Sequence, residues 1–269
     1  MNPFHIVVCG SLVPDPLQTL EPIDTPAGPA LKNEALLPAI LDPWAACALY
    51  EAAHLAKQCA GSRVWLVSLA PKAKLQQTMM SLAQKAPFEL VAIDGPAHGF
   101  TDAHETAAVL AGAIATIAGL DRESLLLFGG WESASRGQGV TLELVGEQLG
   151  ILDQFQGVDR MTLLDDGSFE VMERVEGGKH LVSRCAGPPA LLGWATGERP
   201  EPRNDPQTGM KNMRLILPAL QKAQVVRLDG TGLSYSDVRL PPQQRQTCIV
   251  KDRSPEEIAR EIFAWIRQD

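Results

Sequence analysis

Apolar residues in this chain fall in short runs, separated by stretches where they recur at helical spacing. The runs His5–Cys9, Val64–Ser68, Leu90–Ile93 and Leu125–Phe128 have the length of buried strands. Between them, about Trp44–Gln58, Ala73–Lys85 and Ala103–Ile117 read as helices. The third is rich in alanine, with Ala107, Leu110, Ala111 and Ile114 on one stripe, which suits close packing on a sheet. Strands alternating with helices predict an α/β fold, a parallel sheet with helices on both faces.

Two segments interrupt that rhythm. Gly10 to Asp42 contains six prolines and no sustained period, and reads as a long ordered loop. Loops of that length at the C-terminal end of a strand are usually functional. After Ile151, Met161–Leu164 and Phe169–Val171 flank Asp165-Asp166-Gly167-Ser168, a hairpin signal. Glu176-Gly177-Gly178-Lys179 is a second turn, leading into His180–Cys185, and Pro188–Trp194 reads as one more apolar strand. Antiparallel strands are therefore added to the parallel sheet.

Residues 195–250 show little periodicity beyond a short helix near Leu217–Ala223, and six prolines punctuate them. Ordering such chain costs roughly 1–2 kcal/mol per residue. An arm of this kind is expected to pack on another subunit. The chain then ends in a helix, with Ser254 as N-cap, Pro255 at N1 and Glu257 completing a capping box. Ile258, Ile262, Trp265 and Ile266 form its apolar face.

The stretch Leu125 to Ile151 carries the candidate chemistry. A strand ends at Gly129-Gly130, a small polar loop runs from Ser133 to Gly139, and Leu142, Val145 and Leu149 begin a helix that Gly150 would cap. Backbone N–H groups at such a helix start face outward and favour an anion. The loop has neither a GxGxxG pattern nor a Walker lysine. A nucleotide phosphate site and an ordinary tight βα turn both fit it.

Composition narrows the function classes. The chain has 269 residues, 45% of them hydrophobic and 21% charged, the balance of a globular protein. A net charge of −8 argues against a nucleic-acid partner. No apolar run approaches the length of a membrane span, so membrane insertion is not expected. The first strand starts within five residues of Met1, which with five scattered cysteines points to a cytoplasmic location. Neither the histidines nor the cysteines have the spacing of a metal site, and no nucleophile–base pair or paired carboxylate motif is present.

Several motifs in order resemble the β subunit of electron transfer flavoproteins over essentially the whole chain. Val13-Pro14-Asp15-Pro16 follows the first strand, as at that family's start. Asp42-Pro43-Trp44 and then Tyr50-Glu51-Ala52-Ala53 are similar to its Asn-Pro-Phe and Glu-Glu-Ala segments, and Ser68-Leu69-Ala70-Pro71 to its Ser-x-Gly-Pro turn. Glu173-Arg174-Val175-Glu176-Gly177-Gly178 resembles Arg-Glu-x-Asp-Gly-Gly. Glu201-Pro202-Arg203, followed by Leu217-Pro218 and Lys222-Ala223, resembles its Glu-Pro-Arg and Leu-Pro-x-x-x-Lys-Ala. Gly130 to Thr141 lies where the family binds AMP.

The resemblance implies an adenine-nucleotide α-hydrolase-like domain over residues 1–194, and a partner-docking arm with a C-terminal helix over 195–269. It implies a heterodimer with an α subunit that holds most of an FAD, while this chain supplies one wall near the flavin and a structural AMP site. Electrons would come from a flavin-dependent dehydrogenase and go to a membrane quinone oxidoreductase or another acceptor. The cofactor-binding positions so implied are Cys9, Asp42, Pro43, Trp44, Leu69, Gly130, Arg136, Gly137, Gln138, Gly139, Val140 and Thr141, and the docking positions are Leu217 and Pro218. Asp42 needs only an N-cap role, and a tryptophan at a helix start, such as Trp44, also serves as plain packing.

The loop departs from the family, whose acidic stretch is replaced by Ser133-Ala134-Ser135-Arg136-Gly137-Gln138-Gly139-Val140. Arg136 near a phosphate is electrostatically favourable. A further departure is the extra stretch Asn204 to Met213 between Glu-Pro-Arg and Leu-Pro. A nucleotide-binding regulatory or scaffold protein without a redox role remains the alternative from another class. Within the family, the alternative is a bifurcating form with a second FAD in place of AMP.

Overall fold

The computed structural model describes residues 3–26, 28–96, 100–135, 137, 139–228, 230, 232–233, 237–242, 247 and 249–267. The first half is built as the pattern predicts. Strand β1 (His5–Cys9) is followed by a long excursion, then by helix α1 (Pro43–Gln58), β6 (Arg63–Ala70), α2 (Lys72–Leu82), β7 (Glu89–Asp94), α3 (Ala103–Ala115), β8 (Leu125–Gly130) and α4 (Thr141–Gln148). The excursion holds two small antiparallel pairs where a plain loop was expected. β2 (Leu12–Pro14) pairs with β5 (Ala39–Leu41), and β3 (Pro22–Thr25) with β4 (Gly28–Leu31). Prolines suit such two-stranded ribbons, in which each strand keeps an unpaired edge.

Beyond α4 come β9 (Asp153–Leu163), β10 (Phe169–Val175), β11 (Lys179–Cys185) and β12 (Ala190–Trp194). The second half closes with α5 (Pro206–Gln221), β13 (Gln224–Val225) and α6 (Pro255–Ile266). One nine-stranded sheet has the order β11-β10-β9-β12-β8-β1-β6-β7-β13. Neighbours from β9 to β13 are parallel, and β10 and β11 add an antiparallel edge.

Strand side chains alternate between two cores. Ile6, Val8, Leu66, Leu126 and Phe128 face α1, α2 and α5, while Val7, Trp65, Val67, Leu125 and Leu127 face α3 and α4. Helices therefore cover both faces, and the near-continuous apolar runs of β1, β6 and β8 follow from that.

The segment expected to be loose is partly anchored. Glu51 accepts the N–H groups of Glu198 and Arg199 at 2.6 and 2.8 Å, and Lys85 pairs with Glu201. The expected short helix near Leu217–Ala223 is the end of a longer one. Asp205 accepts the Gln207 N–H as N-cap of α5, and Pro206 sits at the start, where its missing N–H costs nothing. Ile216 and Leu220 of α5 are buried in the core, and Asn212 donates to the Ala83 and Ala86 carbonyls at 2.7 and 2.8 Å. So 206–221 packs on its own chain. By contrast, α6 has no buried residue, and its capping box forms as its sequence predicts.

Candidate functional site

The chain runs outward from β1 to β6 and β7, then returns across β1 to β8. This reversal leaves a crevice at the C-terminal ends of β1 and β8, where ligands bind in open α/β sheets. A cavity of about 750 Å³ opens there, within the range of small-molecule sites. Cys9, Gly10, Leu69 and Gly130 line its floor, Asp42 and Ser133 one side, and Thr141 the start of α4. The excursion forms a further wall through Pro16, Leu20, Pro22, Pro29 and Leu31. Asp42, Ser133 and Thr141 thus stand beside a glycine-lined floor, and the excursion adds a largely apolar wall that also carries Glu34.

Asp42 organises its side of the cavity. Its side chain is 2% exposed, and one oxygen caps α1 by accepting the Trp44 N–H at 3.1 Å. The other oxygen accepts the Ala134 N–H at 2.8 Å and the Ser133 hydroxyl at 2.9 Å. Burial pushes the Asp42 carboxyl up, and these hydrogen bonds pull back only part of the shift. The carboxylate is spent on holding the loop to the helix. It is a positioning group.

The loop after β8 is wound tightly. Gly137 has φ 64°, and its N–H reaches the Ser133 carbonyl at 2.8 Å. Gly139 has φ 65°, and a Cβ there would lie 2.3 Å from the Trp131 carbonyl oxygen. Gly130 passes the start of α1 so closely that a Cβ would meet Trp44 Cβ at 2.7 Å. Val140 stands at the N-cap of α4 without a side-chain acceptor. Among the described residues, the first-turn N–H groups of Thr141 and Leu142 have no hydrogen bond. Orphan donors at a helix start beside a cavity suit an anion.

Of the positions expected from the sequence, Cys9, Asp42, Leu69, Gly130, Gly139 and Thr141 line the cavity. Pro43, Trp44, Gly137 and Val140 adjoin it without lining it. Arg136 and Gln138 lie outside the described residues. Leu217 and Pro218 are elsewhere, on the exposed side of α5. Burial pushes the Cys9 thiol up to about 12, so it stays a neutral thiol. Among the described residues no cluster fit to hold a metal ion occurs.

Sequence reasoning missed the tie from Ser133 and Ala134 to Asp42, which are more than ninety positions apart. It also missed the apolar wall of Leu20 and Leu31. Neither leaves a local signal in the chain. No family model matches the chain, and no curated protein matches it.

Proposed function

We propose that this chain is the β subunit of a heterodimeric electron transfer flavoprotein, with AMP in the cavity and an FAD shared with an α subunit. The observation that carries the reading is the cavity itself. It lies at the crevice between β1 and β8, and six of the twelve cofactor positions implied by the resemblance line it.

The fit to AMP rests on donors this chain supplies. The N–H groups of Thr141 and Leu142, which have no partner among the described residues, would hold the phosphate with the α4 dipole behind them. Asp42 keeps the Ser133–Ala134 segment on α1, and so fixes where those donors point. The cavity floor at Cys9 and Leu69 would receive the adenine. Pro16, Leu20 and Leu31 give the cavity apolar surface against which a ring system would pack. Flavin supplies the one- and two-electron chemistry when bound; this chain orients and shields it.

Helix α6 supports an obligate partner. Ile262, Phe263, Trp265 and Ile266 are exposed, Trp265 at 76%. Apolar surface of this extent on one helix marks an interaction site. Among the described residues no helix is long and apolar enough to cross a membrane. In the proposed role the dimer works in the cytoplasm, takes electrons from a flavin-dependent dehydrogenase and passes them to a quinone oxidoreductase or other acceptor.

Co-expression with the α subunit should give a yellow heterodimer, and nucleotides released on denaturation should be AMP and FAD in comparable amounts. Two FAD and no AMP would indicate the bifurcating form. A stable, colourless monomer that holds a nucleotide would indicate the regulatory or scaffold alternative.

A further inference from the structure

A second cavity, of about 510 Å³, lies between α1 and β9 and shares no lining residue with the first. Its volume is that of a small-molecule site. Phe128 and Trp194, both buried and with ring centroids 5.3 Å apart, form its bottom. Leu55, Met161 and Leu163 give it apolar sides.

The rim is polar, and its open groups are mostly donors. Glu51 is fully engaged: one oxygen takes the Glu198 and Arg199 N–H groups at 2.6 and 2.8 Å, and the other lies 3.9 Å from the Arg199 guanidinium. Glu198 is bound to Arg160 at 3.3 Å. The long contact to Glu51 is the one partner of the Arg199 guanidinium among the described residues, so most of its N–H groups are open. At the bottom, the Trp194 indole N–H is buried without an acceptor among the described residues. A buried donor left unpaired is a standing cost that an acceptor relieves.

We propose that this cavity binds a small carboxylate with an apolar, ring-sized body. A carboxylate only accepts, and it meets the fork of Arg199 at the mouth. The body lies between Leu55 and the side formed by Met161 and Leu163. An ammonium group is disfavoured, because both rim carboxylates are engaged and two guanidinium groups stand beside them. A wholly apolar ligand would cover the rim donors and offer them no acceptor. Glu198 and Arg199 stand near the start of the 195–250 stretch, so a bound carboxylate also ties that stretch to α1. The site is separate from the AMP cavity, and the inference does not rest on the carrier reading.

The test is NMR of the full chain carrying isotope-labelled tryptophan, in the assembly in which it purifies and with AMP in excess. The Trp194 indole signal is identified by its loss in Trp194→Phe. The probes are hydrocinnamate, phenylalanine and phenethylamine, which share a phenyl body and differ in charge. Hydrocinnamate should shift the Trp194 signal along a saturable curve, phenylalanine should bind more weakly, and phenethylamine should leave the signal unmoved. Arg199→Ala should weaken hydrocinnamate roughly tenfold, the worth of a hydrogen bond to a charged group. Its thermal midpoint should stay near that of the parent, since the side chain is exposed. Arg203→Ala, which removes an exposed cation outside the cavity, should bind as the parent does. No shift with hydrocinnamate, an equal response to phenylalanine or phenethylamine, indifference to Arg199→Ala, or an equal loss in Arg203→Ala would each overturn the proposal. A preparation without flavin counts against the carrier reading alone, because this measurement reads the chain's own tryptophan.

Discussion

The Asp42 carboxylate accepts the backbone N–H of Ala134 at 2.8 Å, joining the start of α1 to the loop after β8 across a sequence separation of 92. One side chain thus caps a helix and holds the wall of the cavity. Asp42→Ala removes the acceptor for Trp44, Ser133 and Ala134 together. Loss of the cap costs about 1 kcal/mol, and each of the two part-buried hydrogen bonds to the loop about 0.5–1.5 kcal/mol. Chemical denaturation should show the destabilisation, and nucleotide analysis a lower AMP content. Full AMP content with the parent's stability would mean that the loop holds itself in place.

Gly139 should tolerate no side chain. Its φ of 65° strains any L-residue, and a Cβ would sit 2.3 Å from a backbone oxygen that cannot swing aside. Gly139→Ala is expected to cost more than about 1 kcal/mol and to displace the loop. Gly137→Ala meets no atom within 4 Å, so only the φ penalty of its 64° applies. The loss of thermal midpoint should therefore be smaller at Gly137 than at Gly139. Equal losses would show that the crossing at Trp131 is not what constrains the loop.

Ile216 and Leu217 separate stability from docking. Ile216 is fully buried, and Ile216→Ala should destabilise by about 2–5 kcal/mol. Leu217 is 44% exposed. Leu217→Ala should leave the folded chain and its flavin content nearly unchanged, while slowing electron transfer from the cognate dehydrogenase. Stopped-flow reduction of the heterodimer measures this. An unchanged rate would assign the contact to other residues of α5.

Asp159 predicts an acid-side dependence. Partial burial pushes its carboxyl up, but hydrogen bonds from Arg174, His180 and Thr196 outweigh that and hold it below the usual carboxylate range. A carboxyl depressed on folding adds stability above its unfolded pKa, about 3.9, and loses it as pH falls through the folded value. Denaturation curves of Asp159→Asn should therefore converge on those of the parent below about pH 4. A constant gap down to pH 2 would mean that the charge of Asp159 is not what stabilises this cluster.

Local periodicity determined most of the fold. The runs at His5–Cys9 and Leu125–Phe128 and the stripe through Ala107, Leu110 and Ile114 specify strand and helix without help from the rest of the chain. The capping box at Ser254 and Glu257 is likewise a matter of adjacent residues. Helix α5 is longer than its sequence suggests, because its prolines read as breaks, although Pro206 opens the helix and Pro218 lies in its last turn. What holds it, Asn212 on carbonyls at the end of α2, is a contact between segments more than 120 positions apart. The site divides in the same way. Its glycines and the start of α4 could be read from spacing, because backbone conformation is a local property. The closure of the loop on Asp42 and the apolar wall from the excursion were decided by the order of strands, which brings residues together that no pattern along the chain relates.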